Sequence, residues 1–277
     1  MSKYSGKRIV LFKNRVGPSV KFSNTLVDTL QSVHIKYSRT CQFILTKDII
    51  DTITEQDIDN CYIFMFQKLM TFHIHSPMNI NLASNNKAVI SNSIKILNCI
   101  LSCIEKLNAT CVVHCGSVGT NEQTIDNINS LNSEGWILLE NSAGAGSQLG
   151  STIEDLNYIM SNIVRPNTGL CIDTQHAYAA GVTKWNSYDE SIDILDIYNS
   201  IGQIKLIHLN DSKSTFGSRV DSHEVIGRGH IWSDNNNYEG LAGIINWCTF
   251  HNVDIVEETS DSDDSISFIK YIRDMYL

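Results

Sequence analysis

Proline is scarce in this chain, with 3 residues in 277, so no proline-rich linker divides it. Cations are outnumbered, 21 Lys and Arg against 30 Asp and Glu, for a formal net charge of -9. That balance excludes a protein that coats nucleic acid by bulk charge, but not an enzyme that gathers positive charge in one cleft. No run of about 18 consecutive apolar residues occurs, the length a membrane-spanning helix needs. Residues 1–21 are basic and polar and lack the apolar core of a signal peptide. These absences predict an intracellular protein without a membrane span. The 8 cysteines are not scarce, but Cys99, Cys103, Cys111, Cys115 and Cys171 lie inside apolar runs and read as small hydrophobes of a reducing compartment. The excess of Asn and Ile points to an AT-rich genome, such as that of a microbe or a large DNA virus.

Hydrophobic residues make up 42% of the chain, enough for a sizeable core. No repeat or break in composition is visible, which predicts one domain over residues 1–277. Short apolar runs rich in β-branched residues fall at 8–12, 41–45, 69–75, 111–115, 136–140, 169–173, 204–209 and 253–258, as strands buried on both faces should read. Segments with helical spacing fall at 22–33, 87–107, 151–163, 187–201, 238–250 and 265–277. Ser23 and Asn24 are candidate caps of the first. The helix after the second strand is the weakest of the pattern. Eight strands alternating with helices predict an α/β chain, either a doubly wound sheet or a (β/α)8 TIM barrel, and the length suits the barrel.

The apolar runs end in chemistry. Residues 69–72 lead into His73 and His75, and the following runs end in His114, Glu140, Asp173 (with His176 three residues on), His208 and Glu258, while Asp221 and His223 occupy a loop. In a barrel the carboxyl ends of the strands share one face, where such folds place their active sites. A single acid or histidine at a strand end is usually a cap or loop residue; six in succession are not explained that way. So many carboxylates would repel one another unless cations filled the site. Mixed imidazole and carboxylate donors suit Zn²⁺ or Mn²⁺, and the absence of thiolates at these points argues against a structural cysteine-type site.

Five stretches together resemble the endonuclease IV family of apurinic/apyrimidinic endonucleases. They are His75-Ser76-Pro77-Met78-Asn79, His114-Cys115-Gly116-Ser117, Leu139-Glu140-Asn141-Ser142-Ala143-Gly144, Gly169-Leu170-Cys171-Ile172-Asp173-Thr174-Gln175-His176, and His208-Leu209-Asn210-Asp211-Ser212-Lys213 followed by Arg219-Val220-Asp221-Ser222-His223. The likeness runs from Leu69 to the C-terminus. It implies a (β/α)8 barrel with three Zn²⁺, Mn²⁺ being a substitute. One ion would be held by His75, His114 and Glu140. A second would share Glu140 and add Asp173, His208 and Glu258. The third would be held by His176, Asp221 and His223. The implied reaction is that of a class II AP endonuclease in base excision repair: hydrolysis of the phosphodiester 5′ to an abasic site in double-stranded DNA, leaving a 3′-hydroxyl and a 5′-deoxyribose phosphate, with trimming of blocked 3′ ends. Glu140 would be the catalytic carboxylate, and a monomer is expected.

Departures from the family pattern lie in the recognition elements. The family's first strand carries a Gly-Ser/Ala-His-Val-Ser run, which residues 10–14 replace, with Phe12 at the His position. The second strand keeps a family-like Gln42, but Thr46-Lys47-Asp48 replaces the usual arginine-bearing loop. Met78 stands where the family has Tyr, and a Met still wedges between bases. Lys3, Lys7, Arg8, Lys13, Arg15 and Lys21 precede the first acid, Asp28, and Lys213, Arg219 and Arg228 accompany the last motif; these are candidate phosphate contacts, Lys213 and Arg219 the foremost. The Gly144–Gly150 stretch looks like a dinucleotide loop but spaces its third glycine one residue too far. Two other functions compete. A related metal-barrel sugar isomerase or epimerase would use one or two metals, leaving the Asp221/His223 pair without a task. A DNA-damage binding protein would fit the altered loops but not the complete ligand set.

Overall fold

The structure, a computed structural model, describes residues 15–36, 38–107, 109–233 and 238–276. Ten strands and ten α-helices follow one another among them: β1 (Val16–Val20), α1 (Leu26–His34), β2 (Gln42–Ile44), α2 (Lys47–Ile50), α3 (Glu55–Lys68), β3 (His73–His75), α4 (Lys87–Ile104), β4 (Thr110–His114), α5 (Asn121–Asn129), β5 (Trp136–Glu140), α6 (Ile153–Asn162), β6 (Thr168–Asp173), α7 (Thr174–Ala179), α8 (Tyr188–Ile201), β7 (Ile204–His208), β8 (Asp211–Ser212), β9 (His223–Glu224), α9 (Glu239–His251), β10 (Asp254–Glu257) and α10 (Ser262–Tyr276). Strands β1 to β7 each pair in parallel with the next, and β10 closes the ring between β7 and β1, with Val16 opposite Ile255. This is the expected barrel. The antiparallel β8–β9 ribbon lies in the loop after β7.

The helices start where side chains satisfy their free amides. Thr25, Thr54, Thr120, Thr152 and Ser187 each accept from the backbone N–H three residues on. Thr25, rather than Ser23 or Asn24, caps α1. The weakly patterned stretch after β2 holds the short α2 and the longer α3, which begins with a Thr54–Asp57 capping box. Helix α4 with its 3₁₀ extension is long and apolar enough to cross a membrane by length and composition, with a mean hydropathy of 1.4. The chain has no continuous apolar run of that length, and this helix meets the criterion only on its average, because scattered Asn, Ser and Lys break the run without lowering its mean much. Its stripe of Ile96, Leu97, Ile100, Leu101 and Ile104 is buried in the core between barrel and helices.

The first strand is also corrected. The expected strand at 8–12, the substitution at Phe12 and the cations Lys3, Lys7, Arg8 and Lys13 lie outside the described residues. The strand that closes the barrel is Val16–Val20, which pairs with β10 and β2. Gly17 and Pro18 disguise this strand as a turn. Gly17 is needed there, since a Cβ would stand 1.8 Å from the Thr40 carbonyl oxygen.

The barrel interior is layered. At the amino ends Thr40, His73, Thr110 and Asp254 form a buried polar floor, in which Asp254 Oδ2 lies 3.1 Å from His73 Nε2, and Arg15 Nε lies 3.1 Å from Asp254 Oδ1. Arg15 therefore sits at the end of the barrel opposite the metal-type side chains and contacts no phosphate there. Above the floor Val112, Leu138, Cys171, Leu206 and Val256 make a small apolar cluster, one residue from each of five strands. Two residues on, on the same strand face, stand His114, Glu140, Asp173, His208 and Glu258.

Candidate metal centre

Each of these side chains reaches the carboxyl face because it ends a strand, or in the case of Glu258 directly follows one, and the inward residue two positions before it is apolar and anchored. Glu140 lies at the middle, 1% exposed. Its Oε2 is 3.3 Å from His75 Nε2 and 3.6 Å from His114 Nε2; its Oε1 is 2.9 Å from His208 Nδ1 and 3.5 Å from His176 Nδ1. Glu258 Oε2 is 3.4 Å from His208 Nδ1. Asp221 bridges two rings, with Oδ2 3.3 Å from His176 Nε2 and Oδ1 3.4 Å from His223 Nε2. Asp173 Oδ2 is 3.5 Å from His223 Nε2. All nine residues expected from the resemblance are thus gathered at one site.

Among the described residues, donor atoms within 4.8 Å of one another occur in four groups: His75, His114 and Glu140; Glu140, Asp173, His208 and Glu258; Asp173, His176 and His223; and Glu140, Cys171 and His208. In the third, Asp173 takes the place expected for Asp221, although Asp221 faces the same two rings. Cys171 was not expected; it shares the inward face of β6 with Asp173. Burial pushes its thiol up to about 12, which favours the protonated, weakly ligating form.

The donor set fits divalent metal ions. His176 Nε2 and His223 Nε2 are buried with carboxylate oxygens of Asp221 and Asp173 3.3–3.5 Å away but out of hydrogen-bond geometry, a spacing that a cation between ring and carboxylate satisfies. His75 Nδ1 faces the Ser76 carbonyl at 2.8 Å and His176 Nδ1 faces the Asn141 carbonyl at 2.9 Å. A carbonyl only accepts, so these nitrogens carry the protons and Nε2 of each ring is left to ligate. Without cations the site is held by its own protons. Burial alone would lower His176, but Asp173, Asp221 and Glu140 outweigh it and raise the ring to about 10. Burial alone would raise Glu140, but His114, His208 and His75 hold the carboxyl well below its usual range.

Buried amides that sequence reasoning did not single out organise the carboxylates. The Asn141 side chain accepts from the Asp173 N–H at 2.7 Å and donates to the Asp173 carbonyl at 3.0 Å. Asn210 donates to Asp173 Oδ2 at 2.7 Å and to Glu258 Oε2 at 3.1 Å, and accepts from the Glu258 N–H at 3.1 Å. Asp211 accepts from the N–H groups of Ser212, Gly227, Gly229 and Ile231 and so ties down the chain after β9. His73, a candidate spare ligand, instead serves the barrel floor.

Of the residues expected to meet DNA, Met78 is 74% exposed, and Lys213 and Arg219 are exposed beside the third group. Arg228 is paired with Asp264 at 2.8 Å. The loop after β5 is no nucleotide cradle. Gly144 and Gly150 adopt φ of +75° and +74°, and a Cβ at Gly150 would stand 2.6 Å from Cys115 Sγ; the glycines let the chain turn back under the His114 loop.

Comparison with known proteins agrees with this geometry. A family model described as a xylose isomerase-like TIM barrel matches residues 40–273. A protein of Thermoplasma volcanium named probable endonuclease 4 is 34% identical over 207 residues, covering 72% of this chain and 71% of that protein. A protein of the same name from Carboxydothermus hydrogenoformans is 31% identical, covering 76% and 77%. The apurinic-apyrimidinic endonuclease 1 of Plasmodium berghei is 35% identical over 79% of this chain but only 45% of its own length. Among solved structures, endonuclease IV from Thermus thermophilus superposes with a TM-score of 0.78 at 20% identity, covering 95% of this chain and 98% of that one. A D-tagatose 3-epimerase-like protein reaches 0.65 at 19% identity over 94% of this chain and 98% of its own. The two structures speak for the fold; the family model and the Thermoplasma and Carboxydothermus sequences carry the kinship, and the chain belongs to the endonuclease IV family of xylose isomerase-like TIM barrels.

Proposed function

We propose that this protein is a zinc-dependent DNA repair endonuclease that cuts the phosphodiester on the 5′ side of abasic sites and also trims blocked 3′ ends. The observation that carries the reading is the third group of donors. His176, Asp221 and His223 stand beside two groups that share Glu140, and a one- or two-metal sugar isomerase has no use for them. The name of the Plasmodium relative supports an abasic substrate, and that of the Thermoplasma relative supports an endonuclease. Three Zn²⁺, or Mn²⁺ in their place, would be held by His75, His114 and Glu140; by Glu140, Asp173, His208 and Glu258; and by His176, Asp221 and His223. When bound, the ions would supply positive charge to the phosphodiester and bring the pKa of a water among them towards neutrality.

The chain's own residues do the rest. Glu140 turns one oxygen to each of two groups, and in this reading it orients the attacking water and takes its proton. The side chains of His114, His223 and Asp221 are 24%, 22% and 39% exposed, whereas those of His208 and Glu140 are closed off. The phosphodiester therefore enters over His114, Asp221 and His223. Lys213 and Arg219 contact phosphate on that side, and Met78 wedges into the duplex where the base is missing. The apolar cluster of Val112, Leu138, Cys171, Leu206 and Val256 keeps water from beneath the site, which strengthens each charge interaction above it. Residues 1–277 act as one domain and as a monomer.

The test is incubation with an end-labelled duplex carrying one stable abasic analogue. A single cut 5′ to the analogue, lost with phenanthroline and regained with zinc, is the expected result. No cut by a zinc-loaded protein would reject the nuclease and leave a damage-binding role.

A further inference from the structure

Six barrel strands deliver ligand-type side chains to the rim; β1 and β2 deliver none. Yet β2 reaches the centre with Gln42, which is fully buried. Its amide spans two of the side chains assigned to the second metal. Gln42 Nε2 donates to Glu258 Oε1 at 2.7 Å, and Gln42 Oε1 lies 2.8 Å from His208 Nε2.

The geometry fixes a chain of orientations. An ionised carboxylate only accepts, so Glu258 admits the amide with its NH₂ inward. The amide oxygen then faces His208 Nε2, and that nitrogen must carry the proton. In the neutral ring the lone pair is left on Nδ1, the nitrogen 2.9 Å from Glu140 Oε1 and 3.4 Å from Glu258 Oε2. The Cys171 thiol beside the ring is a weak donor and a weak acceptor and selects neither tautomer. We propose that Gln42 is a positioning residue for the second metal, converting the orientation of Glu258 into the ligating tautomer of His208. This rests on the metal-centre reading above and extends it to a side chain that touches no ion.

Zinc alone is the probe. Gln42→Met keeps the length of the side chain and removes both ends of the amide. Zinc per chain is counted by mass spectrometry after dialysis, and affinities are measured by chelator competition. The expected result is that one ion of the set weakens by roughly 10- to 100-fold while the others hold and the circular dichroism is unchanged. Gln42→Glu keeps the acceptor for His208 and should recover part of the loss, which a space-filling role does not predict. A Gln42→Met protein that holds all its zinc with wild-type affinity overturns the proposal. A second measurement needs no variant. In zinc-loaded wild type with ¹⁵N-labelled histidine, His208 should be protonated at Nε2 and shifted by coordination at Nδ1; the reverse pattern also overturns it. Wild type that binds no zinc would remove the metal-centre reading itself, whereas intact wild-type zinc with an indifferent Gln42→Met removes only the role of Gln42.

Discussion

Replacing Glu140 with Gln deletes one negative charge at the meeting point of the ligand groups and keeps the shape of the side chain. One carboxylate oxygen faces His75 and His114, at 3.3 and 3.6 Å, and the other faces His208 and His176, at 2.9 and 3.5 Å. The amide of Gln has one oxygen and one NH₂, and the NH₂ donates where a cation is wanted. One group keeps its ligand and the other loses it, so the zinc content of Glu140→Gln should fall by one ion per chain. The same substitution removes the carboxylate assigned to the attacking water. A unit charge about 4 Å away contributes about 4 kcal/mol at an effective dielectric near 20, which corresponds to roughly a thousandfold in rate. Single-turnover cleavage of the abasic-analogue duplex, with zinc counted on the same sample, measures both. A variant that keeps its full zinc and cuts within tenfold of wild type would refute the reasoning, because neither the second ion nor the barrier would then depend on this charge.

Met78→Ala removes an exposed side chain, so stability should stay within about 0.5 kcal/mol. Its affinity for an abasic duplex, read by fluorescence anisotropy, should weaken roughly tenfold if Met78 wedges between bases; an unchanged Kd rejects that role. Arg165 is buried near the amino ends of the strands and donates to the carbonyls of Ser133, Gly135, Pro166 and Asn167 at 2.5–3.0 Å. Arg165→Ala should cost about 3 kcal/mol or more by leaving buried carbonyls unpaired, and a loss below about 1 kcal/mol in denaturant titration would contradict this. Asp254 is held below the usual carboxylate range, since its contacts with His73, Arg15 and Thr71 outweigh the opposing effect of burial. A depressed folded-state pKa stabilises above the unfolded value and loses that contribution as pH falls through the folded one. Asp254→Asn should therefore destabilise by about 3 kcal/mol at neutral pH, and the gap from wild type should close below about pH 4; a gap that does not change with pH would show that the charge is not its source.

Much of the site was legible because six of the nine ligand-type residues stand at the end of an apolar run; His176, Asp221 and His223 came with the motifs around them. Apolar runs identified β2 to β7 and β10 within a few residues, and the barrel followed from eight such runs and the helices between them. The first strand was not legible. Val16-Gly17-Pro18-Ser19-Val20 carries two residues that mark turns, and its reason for Gly17 is the Thr40 carbonyl, a contact made only when the barrel closes. Helix α3 was read only weakly and α5 was missed, although each opens with a capping box at Thr54 or Thr120. The apolar faces of both are short, and Tyr62, Ile63 and Phe66 of α3 remain exposed, so their periodicity is blurred. Gln42 was legible only as a family-like residue, without a role, and no spacing marks Asn141 or Asn210. An amide becomes informative only when the strands around it place a carboxylate on one side and a donor on the other.

The layering of the barrel explains how one interior tolerates so much charge. Five small and medium apolar side chains make up the interior cluster, while the cluster between strands and helices draws on every helix from α1 to α10. Burial outside the barrel, not inside it, therefore supplies most of the apolar stabilisation. The interior can then be given over to imidazoles and carboxylates that in the absence of metal offset one another through shared protons. The polar floor follows the same logic at the other end: Asp254 is buried there but fully surrounded by His73, Arg15, Thr40 and Thr71. Because the outer shell holds the fold, the upper layer is free to change its ligands without changing the strands that present them. An epimerase-like protein and an endonuclease IV both superpose on this chain, as a fold whose stability lies mainly outside the barrel allows.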